Sequence, residues 1–361
     1  MTGVLDDVGA IRRFDSQDML GAIARFPEQI RDGWQRSRNI ALPARHREVN
    51  SVLVLGMGGS AIAGDLVRAI FGDRLRVPLV SVRDYELPAF AGSDTLVVAS
   101  SHSGATEETI SATATALERR CPVAVITSGG PLKDVAQRAE LPLLTFPGIG
   151  QPRASVGYGI SLLSGLLERA GLLDVDSATM RDAAAASSAV IEASRPDLPA
   201  EENRAKQLAW SLVDRLPIVE ASGFMVPVAR RWKTQLNENG KTMAALDELP
   251  EATHNSVVGY AQPESLHERL FVVFLSSPLE HPRNSLRAAL SAELLAEAGI
   301  AHQFIPAQGQ SRLAQACSAI SLGDFVSAYL AILYGVDPTP VEVISRIKER
   351  LSALGEDDAD D

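Results

Sequence analysis

Short apolar runs that stop at small or polar residues, each followed by apolar positions at helical spacing, recur along this chain. Ser51–Leu55 (SVLVL) ends at Gly56, and residues 61–71 (AIAGDLVRAIF) then show a helical period. Pro78–Val82, Thr95–Ser100, Val123–Thr127 and Leu141–Phe146 read as further strands, with a helix over 107–119. Strands alternating with helices predict right-handed βαβ units and a parallel sheet. Strands that are apolar throughout fit a sheet covered on both faces. A second alternating unit follows: strand Pro217–Ser222, helix 226–236, strand Leu270–Leu275, helix Ser285–Ala298 and strand His302–Pro306. A long apolar helix, Leu313–Tyr334, and a last helix over 340–353 complete the pattern.

Helical stretches surround these units. Residues 17–38 place Met19, Leu20, Ile23, Phe26, Ile30 and Trp34 at helical spacing, and Pro27 divides the stretch. Residues 154–173 are apolar with a helical period, and 178–213 are Ala-rich with a break near 194–199. The expected fold class is α/β with two tandem domains, each a mainly parallel sheet flanked by helices. The expected organisation is an N-terminal helical arm (1–45), a first sheet domain (46–175), a helical connector (176–215), a second sheet domain (216–338), a C-terminal helix (339–353) and an acidic tail (354–361).

Composition narrows the function. The chain has 361 residues, enough for two domains, and a net charge of −11. That balance argues against a general nucleic-acid binder but leaves room for a local anion pocket. No apolar run approaches the roughly 20 residues of a membrane span. The start, MTGVLDDVGAIRRFDSQ, lacks a signal-peptide pattern, which places the chain in the cytoplasm. Cys121 and Cys317 read as buried free thiols, and no metal-ligand spacing occurs among the Cys and His residues.

Candidate chemistry begins at two strand-to-helix loops. In Gly56-Met57-Gly58-Gly59-Ser60 the glycines let backbone N–H groups approach a ligand, and Ser60 can cap the following helix. The loop matches neither a dinucleotide fingerprint nor a Walker loop, and a plain tight turn is the alternative. In Ser101–Thr109 (SHSGATEET), Ser101, Ser103 and Thr106 offer three hydroxyls at a helix start, a neutral cradle suited to a phosphate monoester. Ordinary capping by Ser103 or Thr106 is the alternative there. Both loops fall at carboxyl ends of parallel strands, where open α/β sheets bind ligands.

These loops resemble the phosphate-binding segments of sugar isomerase (SIS) domains. With Gln151-Pro152-Arg153, RRWKTQLNENGK at 230–241, Ala252-Thr253-His254-Asn255, Gly323-Asp324 and VDPTPVEVISRIKERL at 336–351, the chain resembles the bifunctional phosphoglucose/phosphomannose isomerases, a branch of the phosphoglucose isomerase superfamily. The resemblance runs from about residue 17 to the C-terminal helix and implies two SIS-type domains. It implies reversible isomerisation of glucose 6-phosphate and mannose 6-phosphate to fructose 6-phosphate through a cis-enediol(ate), without metal or cofactor. The phosphate would sit on Gly58, Gly59, Ser60, Ser101, Ser103 and Thr106.

Glu238 matches the family's proton-shuttling base, with burial raising its pKa and Asn237 and Asn239 orienting it; a surface glutamate is the ordinary alternative. His254, sixteen residues on, matches the ring-opening histidine. In related isomerases this histidine comes from the neighbouring subunit, so a homodimer with an interfacial site is implied. Lys348 matches a lysine that assists ring opening, and Arg153 an arginine that steadies the enediolate; a solvated helix lysine and a loop salt bridge are their alternatives. Thr339 would lie near the C2 hydroxyl. His102 and Ala105 depart from the family loop, which commonly carries an aromatic and an Asn there. A non-catalytic SIS-type sugar-phosphate-binding regulator is the competing reading, disfavoured because the N-terminal arm is too short and too little basic for a DNA-binding module.

Overall fold

The computed structural model describes residues 3–148 and 150–357. The helical arm is α1 (Val8–Phe14), α2 (Met19–Ala24) and α3 (Phe26–Ser37). The first sheet unit runs β1 (Ser51–Leu55), α4 (Gly58–Ile70), β2 (Leu79–Val82), β3 (Thr95–Ser101), α5 (Glu107–Glu118), β4 (Val123–Thr127), α6 (Gly130–Arg138), β5 (Leu143–Thr145) and α7 (Val156–Arg169). Helices α8 (Ser177–Glu192) and α9 (Arg204–Leu212) lead to β6 (Leu216–Ser222), α10 (Val226–Glu238), β7 (Ala245–Leu249), β8 (Leu270–Ser276), α11 (Pro282–Glu297), β9 (Ala301–Pro306), α12 (Arg312–Leu333) and α13 (Glu342–Asp357). The pattern of apolar positions did not announce α1, α6 or β7. Helix α13 runs on to Asp357, past the expected end at 353, and residues 358–361 of the acidic stretch lie outside the described residues.

Both sheets are parallel, in the orders β2-β1-β3-β4-β5 and β7-β6-β8-β9. The uniformly apolar strands follow from what lies on each side. Successive side chains of a strand point to opposite faces. Val52 and Val54 enter a central core, while Leu53 and Leu55 enter an outer core with Ala112 and Ala116 of α5 and Leu132 and Ala136 of α6. In the second sheet Val219, Ala221 and Val273 face the central core, and Ile218, Val272 and Phe274 face α11. Helices α3, α4, α7, α8, α10 and α12 pack on one another to form the layer between the sheets.

Helix α12 is the axis of that layer. Of its 22 residues, 313–332 are all buried, and an 18-residue window reaches a mean hydropathy of 1.6. By length and composition it could cross a bilayer, contrary to the expectation that no run comes near. In this fold 94% of that window is buried inside the protein, the other environment in which such a helix is stable. Both thiols, Cys121 and Cys317, are free and buried, as expected.

Candidate active site

Strands β1 and β3 are neighbours in register, Leu55 opposite Ala99, so their following loops emerge side by side. A Cβ at Gly56 would lie 2.9 Å from the Ser100 carbonyl oxygen, which is why this turn is glycine. Met57 occupies the cap position of α4 and Thr106 that of α5, and neither helix start has a side-chain cap. Ser60 therefore does not cap α4; it lies inside the first turn. Thr106 and Ser101 bond each other instead (Oγ1 to Oγ 2.8 Å), while Ser101 Oγ accepts from Gly104 N at 3.0 Å and Ser103 Oγ accepts from Ala105 N at 3.2 Å. Gly104 is left-handed, φ +67°, and packs so closely that a Cβ would collide with the Gly129 carbonyl oxygen. Two helix N-termini without side-chain caps stand beside three hydroxyls, an arrangement that has the donors to accept an anion.

His102 of the second loop packs edge-on against Phe146, ring centroids 5.5 Å apart, and Phe146 stacks on Tyr158 at 5.1 Å. Burial holds the His102 pKa below its ordinary value. The ring thus acts as part of an aromatic wall behind the loop, while Ala105 is exposed.

The first loop abuts the segment that carries Arg153. A Cβ at Gly59 would lie 3.2 Å from Pro152 O and 3.5 Å from Arg153 Cα. Arg153 is 3% exposed at the short 3-10 turn Pro152–Ser155. Its Nε donates to Asn239 Oδ1 (2.5 Å), its Nη1 to Gln151 Oε1 (3.3 Å), and its Nη2 to the carbonyls of Pro338 (2.9 Å) and Thr339 (2.6 Å). The Glu238 carboxylate lies 3.8 Å from Nη1. Burial lowers the guanidinium pKa, and the Glu238 charge opposes that shift.

Glu238 closes α10, whose orientation is set by a polar ladder at 231, 235 and 239. Arg231 pairs with Asp324 of α12 (2.6 Å) and donates to Arg153 O (2.8 Å); Gln235 donates to the second Asp324 oxygen (3.0 Å). Asn239 donates to Ser327 Oγ at 3.0 Å. Contrary to the expectation from sequence, the asparagines beside Glu238 do not orient its carboxylate. Asn239 locks Arg153 and α12, and Asn237 donates to Thr242 O (2.9 Å). Nor is Glu238 buried within this chain: its side chain is 30% exposed.

Thr339 is 3% exposed, and its Oγ1 has no partner among the described residues. Lys241, which the sequence reading did not single out, reaches three backbone carbonyls around Glu238 and Pro338–Pro340. The signals for the missed residues were polar side chains four apart on α10 and Asp324, the one carboxylate of α12. His254, at the end of the 3-10 turn Glu251–His254, and Lys348 on α13 are both exposed. Among the described residues neither makes an ion pair or hydrogen bond with Glu238 or Arg153. The fold thus joins the two loops, Arg153, Glu238 and Thr339, and leaves His254 and Lys348 apart.

Two parallel sheets sharing one helical layer, the first bearing this loop pair, define an α/β protein of the double-SIS class. The same fold occurs in the crystal structure of a hypothetical protein from Thermus thermophilus, with a TM-score of 0.74, 18% identity, and coverage of 96% of this chain and 94% of that one. Residues 201–351 match the model of the bacterial phospho-glucose isomerase C-terminal SIS domain. The bifunctional phosphoglucose/phosphomannose isomerase of Caldicellulosiruptor bescii is 36% identical over 337 residues, 93% of this chain and 99% of the relative. Its namesake in Aquifex aeolicus is 35% identical over 301 residues, 83% of this chain and 90% of the relative. The chain belongs to the bifunctional phosphoglucose/phosphomannose isomerase family, a family of aldose–ketose isomerases.

Proposed function

We propose that this protein interconverts fructose 6-phosphate with glucose 6-phosphate and mannose 6-phosphate by a metal-independent cis-enediol(ate) route. The observation that carries the reading is the position of Arg153: its turn touches the phosphate-type loop at Gly59, and its guanidinium lies 3.8 Å from Glu238. Anion cradle, cation and carboxylate form one continuous patch.

In this reading Gly58, Gly59, Ser60, Ser101, Ser103 and Thr106 hold the phosphate through amides and hydroxyls. That anchors the sugar so that C1 and C2 lie toward α10. Glu238 takes the proton from one carbon and returns it to the other on the same face. Arg153 stabilises the charge that develops on the enediolate oxygens, from a low-dielectric setting where a fixed cation acts strongly. Thr339, whose buried hydroxyl has no partner among the described residues, faces the choice between the two C2 epimers.

Ring opening needs a group that can both donate and accept a proton, and the two ring nitrogens of His254 fit that need. Its exposure, with that of Glu238 and Lys348, supports a second copy completing the site. Apolar side chains left on the surface point the same way: Val343, Ile347 and Leu351 follow one face of α13, and Leu286, Leu290 and Leu294 one face of α11. We assign the partner's His254 to ring opening, assisted by Lys348.

Purified protein in EDTA should convert both mannose 6-phosphate and glucose 6-phosphate to fructose 6-phosphate; turnover of neither sinks the proposal. Glu238→Gln should abolish exchange of the C2 hydrogen with solvent while substrate still binds. Exchange persisting in that variant removes Glu238 from the role of base.

A further inference from the structure

The segment Pro338-Thr339-Pro340 links the buried α12 to α13, and it is poor in ways to hold itself. Its two prolines have no N–H to donate. Its one amide, Thr339 N, is spent on Asp337 Oδ1 (2.8 Å). What remains is a row of carbonyls, and two cations take all three. Arg153 Nη2 binds Pro338 O and Thr339 O. Lys241 Nζ binds Pro338 O (3.0 Å) and Pro340 O (2.6 Å), and its third donor returns to Glu238 O (2.5 Å). An ammonium has three N–H groups, and every one is engaged. Lys241 is held in a left-handed conformation, φ +53°, at the turn that ends α10.

We propose that Lys241 is a positioning residue: its ammonium straps Pro338–Pro340 to the Glu238 turn and so fixes where α13, with Lys348, begins relative to the carboxylate. This rests on the reading of Glu238 as the base and of α13 as part of the site. The strap works only while the amine is charged, because a neutral amine has two donors and turns a lone pair toward a carbonyl. The residue lies at the surface, but its ammonium is drawn in among the carbonyls. That desolvation lowers the Lys241 pKa to about 8, and the neighbouring Arg153 charge adds to it, against Asp337 and Glu238. Those three are the charged groups facing it, from the Pro152–Ser155 turn, the residue just before the strapped segment and the end of α10. The strap therefore loosens as pH rises through about 8.

The test uses the full chain with two variants. Lys241→Met should lower kcat at least about tenfold, since small misplacements of reacting groups are costly. KM should stay within about threefold, because the phosphate loops are untouched. Amide hydrogen exchange in residues 342–351, corrected for intrinsic rates, should quicken. The wild-type kcat should fall on an alkaline limb near pH 8, and Lys241→Arg should recover part of kcat and lose that limb, because arginine does not titrate there. Wild-type kcat and unchanged exchange in Lys241→Met overturn the proposal, as does an unchanged alkaline limb in Lys241→Arg. If the wild type turns over neither sugar phosphate, the functional reading fails by itself, and the exchange of α13 still decides whether Lys241 is the strap. If Lys241→Met does not fold, the Lys241→Arg profile decides.

Discussion

Glu220 sits on β6 with its side chain directed to the outer core of the second sheet, the side of Ile218 and Phe274, and is 1% exposed. One carboxyl oxygen has no partner among the described residues, and Asp247 is its cross-strand neighbour on β7. Burial, then the Asp247 charge, pushes its pKa up to about 8. The native state therefore keeps a proton that the unfolded chain releases at the ordinary carboxyl pKa. A raised folded pKa means stability is greatest below that ordinary value and falls as pH climbs through about 8. Across the window the slope is about 1.4 kcal/mol per pH unit for one such group. Glu280, pushed to about 7 by burial, adds a drift of the same sign. Glu220→Gln keeps the shape and removes the titration. Urea midpoints should rise for the variant at pH 8.5, and the fall between pH 5.5 and 8.5 should flatten. An unchanged slope would show that Glu220 is not the group responsible.

At the scale of elements, the two phosphate-type loops depend on close backbone approach more than on side chains. Gly104 combines a left-handed backbone with contact against Gly129 O, so Gly104→Ala must part the second loop from the β4–α6 turn. The amides and hydroxyls of Ser101–Thr106 would then lose their common focus. KM for the sugar phosphate should rise about tenfold or more while kcat changes much less, since uniform binding is what is lost. Equal loss in kcat, with KM unmoved, would mean that the loop does not hold the phosphate. The central strands and most helices could be read from the chain because β1, β3, β4 and β8 each feed two cores and so are apolar at nearly every position. β7 (ALDEL) could not, because an edge strand with half-buried acidic positions lacks that pattern. The loops were legible as glycine and hydroxyl clusters at strand ends. Arg153, Glu238 and Lys348 were legible only through resemblance, since a lone charged residue has no local signature. The true partner of Asn239 and the role of Lys241 escaped because the residues they bind lie far along the chain, 86 residues away for Arg153 and 97 for Pro338. No periodicity reports a bond of that kind.

On the scale of the whole molecule, α12 and the helices around it make a single core that both sheets share, so the loops of the first unit and the α10 end of the second are held in fixed relation. The outer parts are more open. Helix α13 leaves Val343 at 61% and Leu351 at 55% exposed, and the segment after His254 leaves Val258 at 78%. Apolar surface of that kind, next to a site whose histidine and lysine stand clear of the carboxylate, is what a symmetric pair would cover. A twofold contact brings the same patch from both copies together, and it can place the His254 of each beside the Glu238 of the other. Two inactive variants can then complement. In Glu238→Gln and His254→Asn co-expressed chains, a mixed pair has one site carrying both lesions and one carrying neither. Random pairing makes about half the dimers mixed, so about a quarter of wild-type activity should return. If His254 acts on the Glu238 of its own chain, every site in every pairing carries a lesion and no activity returns. A fully active monomer by light scattering would remove the pair altogether, and the ring-opening histidine would have to reach Glu238 by movement of the 250–269 segment within one chain.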